Sequence, residues 1–299
     1  MKAWLFYPMI RNMRKAAARS RAQRHPTGEP LVAGQGTKDE AEALLYRPES
    51  LSGPLPVIFL VHGGSWIFGS APGCEDQSRY LSDLFGAVVV SVDYTLLYDA
   101  PFPRQQKQTA AVVRHVLDNA ESYGVDPARA YLMGFSAGAH ISAGADILLR
   151  GEGRTLRQVF LCYPFLDFVG FSLSAYTGSK GKQKFLVDKG ADALFFSELP
   201  KNSLLVSPGN ADFSLLKGLS PTVLLSCGDG DLLKPQAESY YQKLLMAGNR
   251  ALYRDFPKAR HGFLEVNFPD HKRPTFAQND EQKALMEEAY AWMKSVWDV

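Results

Sequence analysis

The sequence predicts an α/β architecture: a mostly parallel sheet with helices over both faces. Three observations carry the prediction. Short apolar runs alternate with helix-period stretches through most of the chain, the pattern of β-α-β units. Several runs are continuous in Val, Ile, Leu and Phe, as strands covered on both faces must be. The length of 299 residues, with 46% apolar and 21% charged residues, suits one hydrophobic core near its upper size. That composition excludes a disordered, collagen-like or disulfide-stapled chain.

In chain order, the first 24 residues hold seven Lys or Arg and no acid, a charge of +7, which leaves −5 for the remainder. A mildly acidic body argues against nucleic acid as a partner. The apolar start is interrupted at Pro8 and followed by arginines, unlike a secretory signal. Phe6, Met9, Ile10, Met13 and Ala17 share one helical face, with Arg11, Arg14 and Lys15 mostly off it. A helix packed on the body is expected, with a membrane-surface or partner-binding helix as the alternative. No run approaches the roughly 18 apolar residues of a spanning helix, so a membrane is not an expected partner. Residues 27–39 read as a polar stretch.

Strands are expected at 41–47, 56–61, 87–92, 130–134, 159–163, 222–226 and 251–256, and helices near 75–85, 104–122, 137–150, 235–247 and 281–297. The excursion 167–219, which contains Gly170, Gly178, Gly181, Gly190 and Gly218 among its glycines, breaks the rhythm and reads as a lid over a site. Cys74, Cys162 and Cys227 are too few and scattered for a disulfide framework or zinc site, which favours a reducing cytoplasm. Cys162 and Cys227 read as buried thiols.

Gly134-Phe135-Ser136-Ala137-Gly138 has the form G-x-S-x-G between a strand and a helix. That is the setting of a nucleophile elbow, whose sharp turn projects a serine hydroxyl at a helix N-terminus. Val61-His62-Gly63-Gly64-Ser65-Trp66 follows another strand and matches the H-G-G-x motif whose backbone N–H groups stabilise an oxyanion. His62 reads as an organiser of that loop. Behind an elbow the acid and then the base follow in chain order. His140 lies one turn beyond the serine on the same helix, too close to reach over it, and His271 lies in a polar surface stretch. His261, in the loop after the last strand, is the expected base. Asp229 and Asp231 both end the 222–226 strand; Asp231 is the expected acid, and Asp229 a turn former beside its glycines.

Together these residues resemble the hormone-sensitive-lipase-like esterases of the α/β-hydrolase superfamily, especially bacterial acetyl-esterase and carbohydrate-esterase-like members. The resemblance runs from about Pro56 to His261. It includes Asp93-Tyr94 with Pro101-Phe102-Pro103, Asp126-Pro127, Tyr163-Pro164-Phe165-Leu166-Asp167, Ser207-Pro208 and Gly218-Leu219-Ser220-Pro221-Thr222. Departures are Phe135 for the usual aspartate, Ala139 for the last glycine, Ser65 for a third glycine, and Thr95-Leu96-Leu97-Tyr98 for R-L-A-P. The resemblance implies one α/β-hydrolase domain over 1–299, with cap elements at 1–35 and 168–218. It implies oxyanion donors at Gly64, Ser65 and Ala137, with Gly63 shaping the loop. Trp66 and Phe135, adjacent to those groups, are expected to contact substrate, and Trp4 or Phe6 to line the acyl site.

The expected activity is hydrolysis of short-chain, acetyl-type carboxylic esters through an acyl-enzyme. No metal or organic cofactor is implied, and the expected partner is a small-molecule ester. An arylformamidase or other amide hydrolase would use the same triad, and the fold also hosts non-catalytic ligand receptors. A homo-oligomer is compatible with the sequence.

Overall fold

A computed structural model of the chain describes residues 7–170, 174, 178–228, 230–271 and 275–297. In chain order the principal elements are α1 (Tyr7–Ala22), β1 (Glu29–Ala33), β2 (Ala41–Tyr46), β3 (Leu55–Val61), α2 (Glu75–Phe85), β4 (Val88–Asp93), α3 (Arg104–Asp118), β5 (Val125–Phe135), α4 (Ala137–Gly151), β6 (Gln158–Cys162), α5 (Gly181–Phe195), β7 (Thr222–Cys227), α6 (Lys234–Met246), β8 (Ala251–Phe256) and α7 (Asp280–Ser295).

The eight strands form one sheet in the order β1-β2-β4-β3-β5-β6-β7-β8. β1 and β2 pair antiparallel, as do β2 and β4, and every later pairing is parallel. The pleat sends Val57, Phe59 and Val61 to one face, where they join residues of α3, α4 and α6. Ile58 and Leu60 point to the other face, against residues of α2 and α7. Each central strand is therefore covered twice, which is why its sequence shows no polar alternation.

The edge strand β1 corrects two expectations, the polar stretch at 27–39 and the first cap segment ending at 35. Its pattern alternates, with only Leu31 and Ala33 facing inward. Two inward side chains make too weak a period to read in isolation, and β2 supplies the pairing that fixes it.

The segment expected to form the lid contains α5, a helix the sequence reading did not assign, and a return to β7 in which Val206, Ser207 and Pro208 are buried. An aromatic cluster joins this segment to the body: Phe168 packs against Trp66, Phe102, His140 and Phe165. The backbone N–H of Phe102 donates to Phe195 O at 3.1 Å. In α1, Met13 and Ala17 pack on the core, as expected of the apolar stripe. Arg14 pairs with Asp99 at 2.6 Å, but both side chains are more than 40% exposed, so the pair adds little stability. Trp4 and Phe6 lie outside the described residues. Among those described, no helix is long and apolar enough to cross a membrane.

Candidate active site

The elbow is dictated by contacts too close for any side chain. A Cβ on Gly138 would sit 2.1 Å from Val61 O, and one on Gly134 would sit 2.4 Å from Gly138 O. Strand β5, helix α4 and the end of β3 meet here with no room between them. Ser136, between these glycines, takes φ +52°, a strained value for a residue with a side chain. Its N–H donates to Cys162 O at 2.9 Å, which ties the turn to β6. Its carbonyl accepts from Ala139 and His140, starting α4.

The turn after β3 is the second strained segment: Gly64, Ser65 and Trp66 all have positive φ. His62 stacks on Tyr94 with ring centroids 4.2 Å apart, and Tyr94 O–H donates to His62 O at 3.1 Å. His62 thus braces the loop from beneath, as the sequence suggested. Among the described residues, no backbone acceptor takes the N–H of Gly64 or Ser65, whereas Gly63 N–H donates to Glu265 Oε1 at 2.8 Å.

Loops at the C-terminal ends of β7 and β8 bring in the remaining groups. His261 Nδ1 lies 2.8 Å from Asp231 Oδ2, and His261 Nε2 lies 2.8 Å from Ser136 Oγ. The three side chains, expected from three distant segments, form one hydrogen-bonded chain. The imidazole is 22% exposed and the carboxylate 6%, so the histidine is reachable while the acid is covered. Burial works against ionisation of Asp231. The His261 hydrogen bond and charge, the Cys227 thiol and the Leu233 N–H outweigh it, holding the carboxyl below its ordinary range. The base loop is fastened from α7, where Gln282 accepts from Arg260 N–H at 2.7 Å and donates to Lys258 O at 2.9 Å. Asp229 lies outside the described residues, and His271 sits away from this chain of groups, its N–H donating to Phe268 O.

Two expectations are corrected. Trp66 and Phe135 were expected at the substrate, yet their side chains are 2% and 0% exposed. Phe135 points into the core layer that packs on α7, opposite in pleat to the elbow's open side. Trp66 turns into the aromatic cluster under the lid, where its Nε1–H donates to His140 Nδ1 at 3.1 Å. The indole can only donate, so His140 accepts at Nδ1 and carries its proton on Nε2, which donates to Val206 O at 2.9 Å. Complete burial lowers His140 to about 4, and it stays neutral.

Cys227 was also missed as a neighbour of the site. Its thiol donates to Asp231 Oδ2 at 2.9 Å, the same oxygen that meets His261. Cys227, Asp231 and His261 are the group of potential metal ligands found among the described residues, their ligand atoms within 4.8 Å of one another. Burial keeps the thiol protonated, however, and a metal-binding cysteine must be a thiolate. The geometry fits a polarised serine better than an ion.

Comparison with known proteins places the fold in a family. A family model described as the alpha/beta hydrolase fold matches residues 58–265. Carboxylesterase NlhH of Mycobacterium tuberculosis is 30% identical over 234 residues, 75% of this chain and 70% of that protein. An acetyl-hydrolase of Streptomyces hygroscopicus is 28% identical, over 79% of this chain and 75% of its own. Among solved structures, an ester hydrolase from the metagenome of Lake Arreo superposes with a TM-score of 0.73 at 28% identity, covering 96% of this chain and 90% of that one. A thermostable esterase from Pseudomonas putida shares the fold at a TM-score of 0.76 and 24% identity, covering 97% and 91%. The chain belongs to the α/β-hydrolase family, in its hormone-sensitive-lipase-like branch of serine esterases.

Proposed function

We propose that the protein hydrolyses short-chain carboxylic esters through a Ser136–His261–Asp231 triad. The observation that carries the proposal is the continuous pair of 2.8 Å hydrogen bonds from Asp231 through His261 to Ser136 at a strained elbow. Asp231 accepts from His261 Nδ1–H, which leaves Nε2 free of a proton and able to take that of the serine hydroxyl. Ser136 Oγ then attacks the ester carbonyl. The N–H groups of Gly64, Ser65 and Ala137 receive the oxyanion, each donor worth roughly 10²–10³ in rate. His261, now cationic beside the covered Asp231 carboxylate, protonates the departing alcohol. Water enters, gives a proton to the same nitrogen and releases the acid.

The acetyl-type preference is supported by the packing behind the oxyanion turn, where Trp66, Phe102, Phe165 and Phe168 are each 5% exposed or less. Rings that fill this space leave little of it to a long acyl chain. The likeness to an acetyl-hydrolase points the same way. Residues 1–28 and 168–218 are the proposed cap. All three cysteines are free, in keeping with a cytoplasmic location. An amide hydrolase could share these groups, and turnover of an arylformamide against the matching aryl ester separates the two.

Replacing Ser136 by Ala is expected to reduce turnover of p-nitrophenyl acetate by about 10⁴-fold or more and to abolish labelling by a fluorophosphonate. A folded variant that keeps near-normal turnover would falsify the mechanism.

A further inference from the structure

Four residues beyond His261, Glu265 sends a carboxyl group back across the sheet edge to the oxyanion loop. Its Oε1 accepts from Gly63 N–H at 2.8 Å, and its Oε2 accepts from the Tyr163 hydroxyl at 3.1 Å. The contact with the loop is tight, since a Cβ on Gly63 would lie 2.7 Å from Oε1. Tyr163 follows β6 with φ +40°, a strained conformation that neighbouring contacts must maintain. Its ring stands edge-on to His261, with centroids 4.9 Å apart. One carboxyl group therefore touches the segment that leads into Gly64 and Ser65 and the tyrosine that walls His261. Burial raises its pKa above the ordinary carboxylate range, against the pull of Gly63, His261 and Tyr163. Placing an acid there is unfavourable unless its hydrogen bonds do something an apolar side chain would not.

We infer that Glu265 is a positioning residue of the esterase reaction. By gripping the Gly63 N–H and the Tyr163 hydroxyl together, it sets the direction in which Gly64 and Ser65 present their N–H groups. The inference rests on the esterase mechanism proposed above. Its requirement is reach, because an oxyanion donor displaced by about 1 Å loses roughly 10²-fold in rate.

Two conservative variants separate reach from charge. Glu265→Gln keeps the length, can accept from Gly63 and can donate to the Tyr163 oxygen. Glu265→Asp keeps the charge but falls one methylene short. Steady-state kinetics on p-nitrophenyl acetate, normalised to folded protein from thermal unfolding, should give the Gln variant a kcat within about threefold of the parent. The Asp variant should lose roughly 10²-fold in kcat with KM within about threefold. A Gln variant as slow as the Asp variant, or slower, would overturn the inference, as would an Asp variant with parental kcat per folded molecule. Ser136→Ala measured alongside keeps the two readings apart. If it stays active, the esterase mechanism fails; if it is dead while Glu265→Asp is parental, only the role of Glu265 fails.

Discussion

The elbow and the lid segment are held in opposite ways. At the elbow, three backbone segments meet so closely that Gly134 and Gly138 admit no side chain, and Ser136 is strained where it stands. The lid instead lies on the body through rings, with Phe168, Phe195 and Phe196 grouped around Phe102. Its helix α5 has an exposed surface that includes Phe185, 53% accessible. Hard contacts permit one geometry, whereas ring packing tolerates volume-conserving change. The difference teaches that the elbow of this molecule is fixed by exclusion and the segment over the aromatic cluster by adjustable packing, which suits the proposed role of that segment as a cap.

The strongest way to break that contrast lies on the rigid side. Asp231→Asn is expected to keep the shape of the acid loop yet lower kcat by about 10⁴-fold, by favouring the wrong imidazole tautomer. Asp229→Asn should leave most of the turnover. The reverse ranking in steady-state kinetics would move the acid to 229.

A smaller effect is expected at the junction between the two regions, where His140 links Trp66 to Val206 of the lid loop. The folded state holds this histidine at about 4, below its ordinary value of 6.5, by burying it. Between those values the unfolded chain binds a proton that the folded chain refuses, so stability falls as pH drops from about 6.5 towards 4. The loss should approach roughly 3 kcal/mol at the acid end. His140→Gln can keep both hydrogen bonds without titrating. Urea unfolding from pH 7 to 4.5 should show the parent's advantage over this variant shrinking with acidification. A pH-independent difference would remove His140 from the account.

The smallest effect on the core is expected from the adjustable side. Removing residues 1–24 deletes α1 but none of the sheet, because β1 begins at Glu29. The melting temperature should fall by only a few degrees while preference among acetate, butyrate and hexanoate aryl esters changes. Unchanged acyl preference, with liposome flotation by the full-length chain alone, would make the arm a membrane contact instead.

Seven of the eight strands, the elbow serine and its two partners were legible because each is marked locally. Buried parallel strands appear as apolar runs, and a steric turn demands glycine at fixed spacing. The late histidine and the acid follow from chain order at the sheet's C-terminal edge. What was illegible depends on partners far along the chain. Strand β1 needed β2 to define its register. Trp66 and Phe135 sit beside the right motifs, but only the packed layers determine that their side chains turn into the interior. Glu265 meets Gly63 across 202 residues, and His140 meets Trp66 across 74. Nothing near a glutamate or a helical histidine signals such a partner. Local sterics and periodicity are written into neighbouring residues, whereas a hydrogen bond between distant loops exists only once the sheet has brought them to the same edge.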